Sequence, residues 1–109
     1  MVHLITFELE GPRMPGERHR MEQAIKALGP SFAFAPATWI VESEMDNRDI
    51  CERLRPFIRP TDRIVSTRIY RDWVAANIPE VEREWLGSRN FTAIEDAPKM
   101  VRRIPTVRE

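Results

Sequence analysis

The sequence predicts a single α+β domain in which strands and helices follow one another as β-α-β-β-α-β, with a short helix and a tail after the last strand. Three observations carry this reading. Apolar residues alternate at period two in stretches at the start and in the second half of the chain. Two stretches between them switch to helical spacing. Glycine and proline clusters punctuate the changes of period.

The first strand is the apolar run Val2 to Glu10. Alternation places His3, Ile5, Phe7 and Leu9 on one face and Val2, Leu4, Thr6, Glu8 and Glu10 on the other, so one face is greasy and the other turns acidic. Gly11-Pro12-Arg13-Met14-Pro15-Gly16 holds too many breakers for a regular element and is a loop. From Glu17 the period changes: Met21, Ala24, Ile25 and Leu28 share one helical face, Arg18, Arg20, Glu22, Gln23 and Lys26 fill the other, and Gly29-Pro30 ends the run.

Residues 31–43 return to strand chemistry with Phe32, Phe34, Trp39, Ile40 and Val41, broken at Ala35-Pro36-Ala37. A proline cannot donate to a ladder, so the stretch is a hairpin or a strongly bent pair of strands. Asp46 is placed to cap a second helix, with Asp49 as the reciprocal acid and Ile50, Leu54, Phe57 and Ile58 at helical spacing up to Pro60. After a turn at Thr61-Asp62, Arg63 to Trp73 alternates as the last strand. Pro79 at a helix start, Val81 and Trp85 one turn apart, and Gly87 as a stop mark a short third helix.

This order is that of the ferredoxin-like fold: a four-stranded antiparallel sheet with two helices on one face and the other face open. The domain covers 1–87, and 88–109 form a weakly patterned tail, basic at Lys99, Arg102, Arg103 and Arg108, which reads as either a disordered basic end or an arm packing on a partner subunit. An open face carrying Leu4, Thr6, Ile64 and Tyr70 calls for a partner, most simply a second copy in a homodimer.

Composition narrows the class further. The 109 residues are 42% hydrophobic and 31% charged, as in an ordered globular protein. No apolar run approaches the roughly 18 residues that span a bilayer, and no basic segment precedes a hydrophobic one at the start. A lone cysteine, Cys51, has no companion for a disulfide or a zinc site, which fits a reducing, cytoplasmic setting. The net charge is zero, so any grip on nucleic acid must come from a local patch.

The candidate site is the carboxyl end of the first strand. Glu8 is the candidate catalytic and metal-binding residue, with Glu10 on the same face to assist; the carboxylates suit magnesium or manganese, which take hard oxygen ligands. Arg13, Arg18 and Arg20 border these acids and are placed to hold a phosphate backbone. Two acids balancing Arg13 at a solvated strand end is the plainer reading of the same residues. Of the histidines, His3 lies on the apolar face, where a hydrogen-bonded structural role outweighs catalysis, and His19 sits on the outer face of the first helix.

Ile5-Thr6-Phe7-Glu8, Ala24-Ile25-Lys26-Ala27-Leu28-Gly29, Ala37-Thr38-Trp39-Ile40-Val41, Leu54-Arg55-Pro56 and Thr61-Asp62-Arg63, in that order, resemble the bacterial SinR-like proteins. These are small relatives of the CRISPR-associated protein 2 family. The resemblance covers roughly residues 2–86 and implies a ferredoxin-like homodimer. In nucleases of that family an aspartate ends the first strand of each subunit and holds a divalent metal across the dimer axis; here that position carries Glu8. The leading expectation is a nucleic-acid-associated module with weak or no catalysis. Its alternatives are a magnesium- or manganese-dependent endonuclease, acting on RNA or DNA with Glu8 from each subunit, and a toxin-like or protein-interaction module with no nucleic-acid role.

Overall fold

The alternation at the start of the chain folds as β1 (Val2–Glu8) in a computed structural model that describes residues 1–97. The chain continues through α1 (Glu17–Lys26), β2 (Ser31–Ala35), β3 (Thr38–Glu42) and α2 (Asn47–Leu54), which tightens into a 3-10 turn at Arg55–Phe57. After these come β4 (Arg63–Ile69), α3 (Glu80–Gly87) and a second 3-10 turn at Ile94–Asp96. Strand order across the sheet is β2-β3-β1-β4 with every pair antiparallel, which is the ferredoxin-like arrangement.

Local chemistry accounts for the boundaries. Asp46 caps α2 by accepting the Asp49 backbone N–H at 2.8 Å, and Pro36-Ala37 turn the hairpin, with a register irregularity between Ala33 and Ala35. Gly29 lies where the chain passes over the end of β3: its φ is +154°, and a Cβ there would sit 2.0 Å from the Glu42 carbonyl oxygen. Only glycine fits such an approach.

Ile5, Phe7, Trp39 and Val41 from the sheet meet Met21 and Ile25 of α1 and Ile50 and Leu54 of α2 in the main core. Pairing in β4 corrects one expectation. Phe7 lies opposite Ile64, so Ile64 packs with this helix-side core rather than on the far face. β4 itself stops at Ile69; Tyr70 leaves the strand and forms a single parallel bridge with Thr92.

The far face is only half open. Phe32, Ile40, Val2 and Ile69 form its lower part, and α3 and its flanking segments cover them with Trp73, Ile78, Leu86 and Phe91. Trp85 meets Phe32 edge-on at 5.0 Å, and Trp73 tilts against Phe91 at 5.4 Å. Burying Leu86 and Phe91 contributes about 1.5–3 kcal/mol each. Glu42 pins the cover: it accepts from Arg89 Nη1 and from the Asn90 backbone N–H, both at 3.0 Å. The packed body therefore runs past Gly87 through Thr92 on its own sheet, while Lys99, Arg102, Arg103 and Arg108 lie outside the described residues. The upper part of the face, with Thr6, Thr38 and Val65, stays uncovered. Among the described residues, no helix is long and apolar enough to cross a membrane.

Candidate phosphate-binding site

β1 delivers its acidic end to the rim of the sheet where the 11–16 loop, the 36–37 turn and the 58–62 turn meet. The organising residue there is Asp62, whose side chain is fully buried. Asp62 Oδ1 accepts the Glu10 backbone N–H at 2.8 Å and the Arg13 guanidinium, while Oδ2 accepts the Arg59 backbone N–H at 2.7 Å. Burial pushes the Asp62 carboxyl up, but the Arg59 and Glu10 backbone N–H groups and the Arg13 guanidinium outweigh it and hold it down at about 2.

Glu17, the first residue of α1, completes the network. Arg59 Nη2 donates to both of its carboxylate oxygens at 3.0 Å, Arg13 Nη1 stands 3.8 Å away, and Arg59 Nη1 donates to the Pro12 carbonyl at 3.2 Å. The Met14 backbone N–H donates to Glu17 at 2.6 Å; that bond first, then Arg59 and Arg13, holds the Glu17 carboxyl below its ordinary range against its desolvation. Arg13, Arg20 and Arg59 then line a notch of about 120 Å³, with Phe57 and Ile58 as its apolar wall.

The five predicted site residues reach this end of the molecule in different states. Arg13 and Arg20 share the notch. Arg18 is engaged elsewhere: its Nε pairs with Glu22 at 3.3 Å, its Nη2 donates to the Pro36 carbonyl, and its guanidinium lies 5.3 Å from the centre of the Phe7 ring. Glu8 is exposed on the far face and pairs loosely with Arg63 at 3.8 Å, while Glu10 follows the strand end and is anchored through its backbone.

A hard divalent cation wants several oxygen ligands at close range. The chain offers Glu8 with the Arg63 guanidinium beside it, and among the described residues no three histidine, cysteine, aspartate or glutamate side chains gather to hold a metal.

Arg59 and Asp62 escaped the sequence reading as site residues. The available signal was Asp62 itself, in the Arg59-Pro60-Thr61-Asp62 turn that precedes β4, where an aspartate folds back on the backbone three residues earlier. His3 lies elsewhere, buried under α2, with Nδ1 2.8 Å from Asn47 Oδ1, an oxygen that also accepts the Ser66 hydroxyl at 2.8 Å. Burial lowers the His3 pKa, against the hydrogen bonds the ring donates to Asn47 and the Ser43 backbone, and Arg68 and the terminal ammonium lower it further. Compared with family models, curated proteins and solved structures, the chain finds no match in any of the three.

Proposed function

We propose that this protein is a homodimeric, nucleic-acid-associated module of the CRISPR-associated protein 2-like kind, which grips a phosphate backbone without cutting it. The observation that carries the reading is the notch of Arg13, Arg20 and Arg59 at the acidic end of β1. Arg13 and Arg59 are held in place by Asp62 and Glu17, so they lose little rotamer freedom when a phosphate arrives. Arg20 is exposed and makes no salt bridge among the described residues, so its guanidinium is the one that a phosphate engages without displacing a carboxylate. Three guanidiniums against the two carboxylates of Glu17 and Asp62 leave one net positive charge, which suits weak, salt-dependent contact rather than base readout.

Fluorescence anisotropy with labelled single-stranded RNA and duplex DNA over a salt series tests this. Arg20→Ala should weaken binding to every sequence alike and reduce the slope of log affinity against log salt by about 1. Binding with no salt dependence would sink the proposal. Magnesium or manganese should leave both substrates intact; cleavage that disappears in Glu8→Ala would establish the endonuclease in its place.

A further inference from the structure

Between the far face of the sheet and its cover lies a cavity of about 370 Å³. Leu4, Ile40 and Ile69 form its floor, Trp73 and Ile78 one wall, and Leu86 of α3 the other. Phe34 and Val74 stand at its mouth, 52% and 92% exposed. Every side chain around it is apolar, and it shares no lining residue with the arginine notch.

We propose that this cavity is a binding site for an uncharged, largely apolar small molecule of about two aromatic rings. Size supports the class: an apolar protein cavity of ~150 Å³ takes up benzene, and small-molecule pockets start at roughly 300 Å³. Lining chemistry supports the charge: no carboxylate or guanidinium is present to meet an ion, and burying an unpaired charge there is costly. The pocket is a concave cleft, open at the Phe34–Val74 mouth and walled by sheet, loop and helix on its other sides, a shape that suits a compact molecule better than the flat surface of a second copy. The apolar rim explains itself in the same way, because a bound ring system gives Phe34 and Val74 a surface to rest on.

The test uses N-phenyl-1-naphthylamine, an uncharged arylamine whose emission rises in apolar surroundings, beside its sulfonated congener 1-anilinonaphthalene-8-sulfonate. The neutral probe should bind saturably at one per chain, and the sulfonate at least about tenfold more weakly. Ala75→Phe and Leu4→Phe, each narrowing the cavity, should weaken the neutral probe by about tenfold at unchanged circular dichroism, while Val81→Ser, at an exposed position of α3 outside the cavity, should leave it unchanged. Unsaturable emission, equal binding of the sulfonate, or probe release as the protein self-associates would each overturn the proposal, the last by giving the cavity to a second copy. Should neither cavity variant fold, the comparison of the two probes on the unaltered protein still decides it.

Discussion

Asp62 and His3 are both buried ionisable groups, and they respond to acid in different windows. The folded state holds the Asp62 carboxyl at about 2, below its ordinary 3.8, so its contribution is complete above roughly pH 4 and is lost as pH falls toward 2. Asp62→Ala removes the acceptor of two backbone N–H groups and of Arg13, and should lower the melting temperature by about 10 °C or more by calorimetry. For His3 the folded pKa is depressed below the ordinary 6.5, so the unfolded chain binds the extra proton first. Stability should hold above pH 6.5 and fall as pH drops below it, until the folded-state pKa is reached. Urea midpoints at pH 7.5 and about pH 5.5 should therefore differ, and His3→Gln should shrink that difference.

At the scale of elements, α3 is attached rather than intrinsic: its N-terminus has no side-chain cap, and its hold on the sheet runs through Trp85, Leu86 and the Glu42 clamp. Glu42→Ala should cost about 1–2 kcal/mol and raise amide exchange in residues 80–92 while leaving α1 and α2 protected. The sequence made the repeating elements legible because each has a local period: the β1 alternation, the Met21/Ile25 face of α1, the Asp46 cap of α2 and the Pro36 break all folded as their spacing implied. What it hid was pairwise and distant. The face of Ile64 follows from its pairing with Phe7, and the role of Trp85 from its contact with Phe32, neither of which periodicity within one segment determines. The arginine notch was half legible for the same reason: Arg13 and Arg20 lie near the acidic strand end in sequence, whereas Arg59 and Asp62 arrive from the other side of α2.

For the whole molecule, the uncovered upper half of the far face sets the question of assembly. Val65 is 56% exposed on a sheet surface that also carries Thr6 and Thr38, and this is the surface on which the proposed homodimer is expected to pair. Sedimentation at micromolar concentration should give about twice the 12.8 kDa chain mass, and Val65→Glu should return it to a single chain without lowering helix content. A mass near 12.8 kDa for the unaltered protein would remove the dimer and leave the arginine notch to act alone.

The place of β1 has a consequence for how the protein is made. It lies between β3 and β4, yet in the chain it precedes both, and Val2 finds its second neighbour only when Ile69 exists. During synthesis this inner strand is thus the one that waits longest for its last flank, with Ile5 and Phe7 lacking that cover until Ile64 and Ser66 emerge. Folding is tied to near-completion of the domain, and slow elongation through residues 63–69 prolongs the interval in which the nascent chain is open to chaperones or to aggregation.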